Sequence, residues 1–473
     1  MLWSALEHGS TTLISFLSLT VFAKFLEPRD FGAYSIAFSI VEIAAIVPGY
    51  LFYEALIRFN NLADDHFNAA FTISIGLGVF VFALLWLILP SLASLVGDPR
   101  VSDIGRVLGL GLLIAGPASI LSARQSREFG FRVLAQRTLL GRIAGSLLGI
   151  VAVFFHFGVW ALVIQYLSMT VLGSTALVIF SSWRPRLTIM WRPGADLLNY
   201  GLGSVVSLSA TFVSKRAFGL YVGVFLGVEK AGFLNLAFRI FDTVWAISST
   251  AISDVMLPVM ARFQDDHDRA LKAYRTTLTL GCALLYPAFA GLGVVAPELI
   301  QLLFGDRWMP AARPALWLGA LIFVQAPRIF QISLLKITGN IGGIRWVTLA
   351  TLTFMIIGII TTKLPSETLA LALWAVTESL TFALLSFLIQ EKLQFSIIQQ
   401  LRIILVPLLA SCAMAWIVSL ARNFIPTGHP SLRLFYLCLI GLIVYAGLML
   451  LFGRRSIARV LQVARLSKIP DVL

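Results

Sequence analysis

The sequence predicts an all-α polytopic membrane protein that is built from two repeated halves, and three observations support this. The 473 residues are 59% hydrophobic and only 12% charged, about half the charged fraction usual for soluble domains. Continuous apolar runs of roughly the ~20 residues that cross a bilayer recur along the chain, which favours helices over alternating transmembrane strands. The third observation is a repeat, since FLEPRDFGAYSIAFSIVE at 25–42 returns as FLGVEKAGFLNLAFRIFD at 225–242.

Hydropathy places about fourteen transmembrane helices in order along the chain. The first predicted span has neither a basic leader nor a small-residue cleavage site, so we expect it to be retained. Each span is a continuous apolar stretch between polar or Gly/Pro-containing turns. The predicted spans are 3–26, 31–53, 67–92, 104–123, 138–155, 158–181, 197–226, 231–257, 274–296, 312–335, 344–362, 367–390, 402–421 and 431–452.

The distribution of Lys and Arg predicts the orientation in the membrane. An even number of spans puts both termini on one side, and most Lys and Arg residues of the connections fall on that side. The positive-inside rule therefore predicts cytoplasmic termini. This orientation accounts for most of the +13 net charge, so nucleic acid is not expected as a partner. The densest basic connection holds Arg124, Arg127, Arg132, Arg137 and Arg142.

The repeat predicts the domain organisation. Each copy holds six spans, and an even number gives both copies the same orientation, as in transporters with parallel repeats. The predicted N-lobe is 1–190 and the C-lobe is 191–395, while 396–473 adds two helices and a basic cytoplasmic tail. The connections are too short for a soluble catalytic domain, and the chain has no Walker A or HExxH sequence. Neither an enzyme, a cofactor nor a metal is predicted.

Two segments resemble a known transporter family. KFLEPRDFGAYSIAF at 24–38 and FGDRWMPAA at 304–312 are similar to segments of Wzx-type polysaccharide exporters, a branch of the multidrug/oligosaccharidyl-lipid/polysaccharide superfamily. With the span count and the repeat, the resemblance covers nearly the whole chain. It implies a flippase that moves undecaprenyl-pyrophosphate-linked oligosaccharide repeat units across the bacterial inner membrane, for exopolysaccharide, capsule or O-antigen synthesis. Besides membrane lipids, a polysaccharide polymerase or copolymerase is a further partner to consider. The glycan, the coupling ion and the oligomeric state stay open.

Charged residues within spans are the candidate functional residues, because a charge in the membrane is costly. Lys215, Arg216 and Arg239 are predicted to bind the substrate, since ammonium and guanidinium groups bind phosphate oxygens strongly where water is scarce. The structural alternative pairs Arg239 with Asp242, one turn further on the same helix face, and leaves Lys215 and Arg216 without a transport role.

Two carboxylates, Glu42 and Asp242, occupy equivalent positions of the two copies and are predicted to act in coupling or gating. Glu42 has no cation within one turn of its own helix, so a proton could supply its compensation. A hydrogen bond to another helix, without any transport role, explains Glu42 equally well. Glu7 and Glu378 are further acids within spans.

Other functions fit the sequence less well. A cation-coupled multidrug exporter of the same superfamily should present acids rather than a Lys-Arg pair to its cavity. A membrane polysaccharide polymerase or ligase should carry a substantial outer loop with catalytic Arg or His. The DDH sequences at 64–66 and 265–267 suggest a metal-dependent glycosyltransferase, but they lie in repeated loops at helix starts, where Asp favours the helix dipole.

Overall fold

The computed structural model describes residues 2–59, 62–188, 191–261, 267–362, 366–425 and 429–452. These residues form seventeen α-helices and one 3-10 helix at Asp306–Ala311, with no strand among them. The α-helices are α1 Leu2–Phe25, α2 Pro28–Tyr50, α3 Tyr53–Arg58, α4 Asp64–Val96, α5 Arg100–Gly109, α6 Leu112–Arg127, α7 Phe131–Phe154, α8 Trp160–Phe180, α9 Trp191–Leu226, α10 Val228–Ala261, α11 His267–Val294, α12 Ala296–Phe304, α13 Ala312–Ile337, α14 Ile341–Thr362, α15 Glu367–Leu393, α16 Ile397–Ala421 and α17 Pro430–Phe452.

The helices account for the predicted membrane spans. Within the described ranges, eleven helical segments are long and apolar enough to cross a membrane, and 9–25 of α1 adds a shorter apolar one. Helices α9 and α10 have 36 and 34 residues, well above the ~20 residues that a membrane span needs. Each predicted span is largely helical, and the span at 104–123 is divided between α5 and α6. Since a helix satisfies its own backbone polar groups in lipid, the predicted all-α polytopic membrane fold is confirmed.

The chain forms two compact units. The first unit is Met1–Leu236 with Thr362–Glu367, and the second is Ala237–Thr361 with Thr368–Leu473. Helix α9, predicted to open the C-lobe, packs on α2, α3 and α4 of the first unit. The two units reflect which helices pack together, whereas the predicted lobes reflect the repeat in the sequence. The lobes at 1–190 and 191–395 therefore stay a prediction. The predicted basic tail, 453–473, lies outside the described residues.

Two glycines that the repeat relates form one close helix crossing in the first unit. Gly32 lies in the second turn of α2 and Gly232 in the second turn of α10. A Cβ atom on Gly32 would lie 2.7 Å from the carbonyl carbon of Val228, and one on Gly232 would lie 2.8 Å from that of Pro28. Each carbonyl belongs to the residue four positions before the other glycine, so the contact is reciprocal. Only a residue without Cβ lets two helix backbones approach this closely.

A glycine stripe joins α7 to α8 in the same unit. Gly141, Gly145 and Gly149 are spaced four residues apart and therefore share one face of α7. A Cβ atom on Gly145 would lie 2.7 Å from the Gln165 carbonyl oxygen of α8, and one on Gly141 would lie 2.7 Å from that of Met169. Small residues at this spacing let helices pack backbone to backbone in membranes. The hairpin α7–α8 is consequently a tightly joined pair.

An ionic cluster ties the start of α2 to the turn between α4 and α5. Asp98 is only 2% exposed, and its Oδ2 lies 2.8 Å from Nη2 of Arg100 and 3.6 Å from Nε of Arg29. Arg100 also donates from Nη1 to Oδ1 of Asp30 at 2.9 Å. Burial acts to raise the pKa of Asp98, but hydrogen bonds from Arg100 and the charges of Arg100 and Arg29 outweigh it, and the pKa is lowered. Arg29 and Asp30 of the segment at 24–38 therefore have a structural role.

Replacing Asp98 with Asn is expected to lower the free energy of unfolding by about 1–3 kcal/mol at pH 7, because Arg100 loses a buried charged partner. A carboxyl whose pKa is lower in the folded state stabilises the protein above its unfolded pKa, near 3.9, and loses that contribution as the pH falls through the folded pKa. The difference between variant and unchanged protein should therefore shrink below about pH 4. Thermal unfolding in detergent at several pH values measures it.

The matched control is Asp306→Asn, since Asp306 follows Gly305 as Asp98 follows Gly97 but is exposed. Its side chain accepts a hydrogen bond from Gln301 at 2.9 Å. This substitution should change stability by less than Asp98→Asn does. Equal effects of the two substitutions would contradict a special role for the buried cluster.

In the second unit, a buried carboxylate holds the last two helices. Glu298 of α12 is 3% exposed, and its Oε1 lies 2.8 Å from Nε of Arg422 and 3.6 Å from Nε of Arg433. Arg422 directly follows α16 and Arg433 lies in the first turn of α17. Arg433 also donates to the Arg422 carbonyl oxygen at 3.0 Å. Two guanidinium groups from the C-terminal helices therefore compensate one acid that water cannot reach.

Candidate functional site

A cavity of about 490 Å³ lies inside the first unit, among α2, α3, α6, α7, α8 and α9. Its lining combines one acid, two cations and three phenols with the hydroxyls of Ser119, Ser122, Thr170 and Ser174. Along α2 the lining runs from Glu42 to Tyr50, which corresponds to about 12 Å at 1.5 Å per residue, and Tyr53 continues it at the start of α3. The ionisable side chains of the lining are Glu42, Tyr50, Tyr53, Arg137, Tyr166 and Arg216.

Arg216 of α9 forms an ion pair with Glu42 of α2 in this lining. Its guanidinium carbon also lies 5.4 Å from the ring centroid of Phe38, which precedes Glu42 by one helical turn and so shares its face. The Phe38 ring packs edge-on against Tyr166 of α8, with centroids 5.1 Å apart. The guanidinium is thus positioned by a carboxylate and an aromatic face. Side-chain exposure is 27% for Arg216 and 35% for Glu42, so both reach the cavity.

The ion pair unites two residues to which the sequence assigned separate roles. Arg216 was predicted to bind substrate, and Glu42 was predicted to be a coupling carboxylate without a cation near it on its own helix. The cation that pairs with Glu42 comes from another helix, more than 170 positions further along the chain. Spacing within one helix cannot reveal such a pair.

The other predicted site residues have different surroundings. Lys215 precedes Arg216 on α9 and is partly buried. Arg239 and Asp242 lie on the part of α10 that belongs to the second unit, where Arg239 is partly buried and Asp242 is exposed. Substrate binding by Arg239 and gating by Asp242 stay predictions.

Arg137 is a cavity residue that the sequence assigned to a cytoplasmic connection. Helix α7 begins at Phe131 rather than near 138, so Arg137 lies in its second turn. There it lines the cavity and donates a hydrogen bond to the Ser122 hydroxyl of α6. One signal could have identified it, because Arg137 precedes Gly141 by four residues and so continues the glycine stripe that faces α8.

Of the remaining acids singled out from the sequence, some form ion pairs between helices and the others lie outside the described residues. Glu378 of α15 pairs with Arg328 of α13. Asp64 lies in the first turn of α4, where an acid favours the helix dipole, and pairs with Arg124 of α6. Asp265 and Asp266 lie outside the described residues, and the side chain of Glu7 is also not described. The predicted helix-start role of Asp64 therefore fits its position.

The cavity is chemically suited to an anionic ligand that carries hydroxyl groups. Two guanidinium groups against one carboxylate leave an excess of positive charge among the described lining residues. Guanidinium groups bind phosphate and carboxylate in two-point geometry. Phenol and hydroxyl groups can exchange hydrogen bonds with sugar hydroxyls, and tyrosine rings supply apolar faces. A phosphate-linked sugar presents both features.

The sequence is similar to those of proteins of polysaccharide biosynthesis. The sequence model of a family described as polysaccharide biosynthesis protein matches residues 21–313. The succinoglycan biosynthesis transport protein ExoT of Rhizobium meliloti (strain 1021) is 24% identical over 476 residues, covering 98% of this chain and 95% of that protein. The lipopolysaccharide biosynthesis protein WzxC of Escherichia coli (strain K12) is 21% identical over 308 residues, covering 65% of this chain and 63% of that protein.

Solved transporter structures share the fold. The lipid II flippase MurJ in an inward closed conformation aligns with a TM-score of 0.77 and 14% identity, covering 96% of this chain and 99% of that one. An inward-facing multidrug resistance MATE transporter aligns with a TM-score of 0.60 and 16% identity, covering 83% and 95%. At these identities the likeness concerns the helical architecture alone.

Proposed function

The chain belongs to the family of polysaccharide biosynthesis proteins, and from this premise we propose that it flips undecaprenyl-pyrophosphate-linked oligosaccharide repeat units across the cytoplasmic membrane by alternating access. It is a multi-pass membrane transport protein and not an enzyme. The resemblance to Wzx-type exporters drawn from its sequence is confirmed. The lipid-linked substrate, the direction from cytoplasmic to periplasmic leaflet and the cytoplasmic location of both termini are parts of the proposal.

The observation that carries the proposal is the cation excess of the cavity, with Arg216 in its wall. A pyrophosphate carries its charge at the junction between lipid and sugar, so the transporter must compensate that charge inside the membrane. Lys215, Arg216 and Arg239 bind the pyrophosphate in the proposed mechanism. Arg137 extends the same cationic lining within the first unit.

Glu42 acts in this mechanism as a competitor for the same guanidinium. In the structure its carboxylate pairs with Arg216, and in the proposed mechanism the pyrophosphate displaces it from Arg216. In this proposal the displaced carboxylate, which has lost its guanidinium partner, takes up a proton. Substrate binding and protonation of Glu42 would then be linked, and Asp242 would have the corresponding role in the second copy. A polymerase or copolymerase would receive the flipped unit from the transporter.

The excess of cations in the cavity also argues against the alternative function, export of cationic drugs. A pump for cationic compounds needs acids that are available to its ligand, whereas the Glu42 carboxylate is engaged by Arg216 and a second guanidinium lies in the same lining. The cavity of the first unit therefore favours an anionic ligand.

The test is to replace Lys215, Arg216 and Arg239 together with Ala. Loss of two or three charge-assisted hydrogen bonds, worth about 1.5–3 kcal/mol each, should reduce export at least tenfold. Lipid-linked repeat units should then accumulate in the cytoplasmic leaflet, which is measured by their accessibility to a membrane-impermeant glycan reagent in inside-out and right-side-out vesicles.

The control for this experiment is Lys392→Ala, because Lys392 is an exposed cation near the end of α15. Export should be unchanged in the control. Normal export by a folded triple variant would refute the proposed binding role of the three cations.

A further inference from the structure

The connection between α6 and α7 keeps a phenylalanine in a strained backbone conformation. Phe129 has φ +56°, in the left-handed region that residues with a Cβ rarely adopt. It follows the end of α6, where the Gly130 amide donates to the Gln125 carbonyl oxygen at 2.8 Å. This hydrogen-bond pattern ends many helices, and glycine usually occupies the left-handed position.

The corresponding connection in the second half of the chain has the usual residue. After α13, the Asn340 amide donates to the Leu335 carbonyl oxygen at 2.8 Å, and Gly339 occupies the left-handed position with φ +74°. The two turns therefore have the same hydrogen bonds, and glycine suffices to form one. The turn does not require a phenylalanine, so the side chain of Phe129 has a role outside the turn.

Phe129 is also one of the most exposed large side chains of the described residues. It is 79% exposed, and Phe131 two residues later is 49% exposed. The two rings contact each other edge to face, with centroids 6.2 Å apart. The neighbouring Arg132 is exposed as well, whereas Glu128 is paired with Arg124. An apolar pair beside a cation is the composition of a segment that enters a membrane surface.

The opposite end of α7 repeats these features. His156 has φ +62° in a turn where the Phe157 amide donates to the Ala152 carbonyl oxygen at 3.1 Å. Phe154, Phe155 and Phe157 around it are 60%, 73% and 53% exposed. Between the two ends, α7 exposes apolar side chains such as Leu147 and Val151. Its 24 residues span about 36 Å, slightly more than the hydrocarbon core of about 30 Å.

We infer that the exposed phenylalanines at both ends of α7 are lipid anchors. Phe129 and Phe131 insert at the boundary of headgroups and acyl chains in one leaflet, and Phe154, Phe155 and Phe157 insert at that boundary in the other. They fix the depth of the α7–α8 hairpin in the bilayer. Because Arg137 lies on α7 and Tyr166 on α8, the anchors also fix the depth of these cavity residues. The partner of this surface is phospholipid, and the inference does not depend on which substrate is carried.

Spin labels in the full-length protein test the inference. Phe129→Cys and Phe155→Cys are made in a chain whose exposed cysteines, Cys412 and Cys438, are replaced by Ala, while buried Cys282 stays. Each labelled protein is reconstituted in vesicles of phosphatidylcholine and phosphatidylglycerol. The measurement is the accessibility of the label to oxygen, which concentrates in lipid, relative to a water-soluble nickel chelate. Phe131→Cys replaces Phe129→Cys if the latter fails to fold.

Two controls define the scale of this measurement. Leu147→Cys on the exposed apolar face of α7 represents the acyl region, and Glu391→Cys at the exposed end of α15 represents water. Labels at 129 and 155 should have ratios between these controls, at least severalfold above that of Glu391→Cys. A ratio equal to the water control would overturn the inference. Exclusion of both reagents would overturn it too, since a protein partner or a second copy would then cover the surface.

Discussion

Arg216→Ala is expected to abolish most export, and removal of Glu42 in addition is expected to restore stability without restoring export. The single substitution leaves a partly buried carboxylate without the guanidinium that it contacts. Stranding one partner of such a pair costs about 1–3 kcal/mol, whereas removing both is often nearly neutral. The Glu42→Ala/Arg216→Ala variant should therefore unfold closer to the temperature of the unchanged protein, while its export stays at least tenfold reduced because the substrate cation is missing.

This comparison separates a structural pair from a functional one. If the pair only holds α2 against α9, the double variant should recover export together with stability. The matched control is the pair of Asp64 and Arg124, which joins α4 to α6 in the same unit. Asp64→Ala/Arg124→Ala should leave export close to normal. Unfolding is followed by heating in detergent, and export by the amount of surface polysaccharide in cells with equal amounts of the transporter.

Gly32→Val is expected to cause the largest loss of folded protein, and Gly232→Val should match it. A Cβ atom at either position would overlap a backbone carbonyl of the other helix. A carbonyl cannot rotate away as a side chain can, so the helices must separate. Overpacking of a tight contact costs typically about 1–3 kcal/mol, and we expect values at or above the upper end. Unfolding temperature and the yield of monodisperse protein measure the effect.

The control for the glycine crossing is Gly76→Val on α4. A Cβ atom at Gly76 has no neighbour within 4 Å, so this substitution should cost far less. Equal destabilisation of Gly32→Val and Gly76→Val would mean that the crossing tolerates separation. Because the crossing is reciprocal, an effect at Gly32 without one at Gly232 would also contradict it.

The sequence predicted the architecture well because each membrane-spanning helix requires a long apolar segment, which a hydropathy profile detects. Each predicted span is largely helical, since apolar runs of this length have few other conformations available in lipid. The break between α5 and α6 within the span at 104–123 was not predicted. Motif similarity identified the exporter family, and the repeat marked Gly32 and Gly232 as equivalent. That equivalence did not reveal that the two glycines touch each other, because repetition relates positions without placing them in contact.

The site was less predictable than the fold. Arg216 and Glu42 were both singled out as costly intramembrane charges, but their pairing depends on how α9 packs against α2, which periodicity within either helix does not encode. Arg137 was missed for a different reason. Hydropathy places a span boundary where polar residues end, whereas α7 already begins at Phe131 and its second turn carries Arg137 into the cavity lining.

The pairing of Glu298 with Arg422 and Arg433 has a consequence for chain length. The Glu298 carboxylate is 3% exposed, and the guanidinium groups that contact it lie just after α16 and in the first turn of α17. Trimming the chain back to Leu393 would remove both compensating charges at once and leave the Glu298 carboxylate without them. We therefore expect a chain that ends before α16 to be unstable unless an uncharged side chain replaces Glu298.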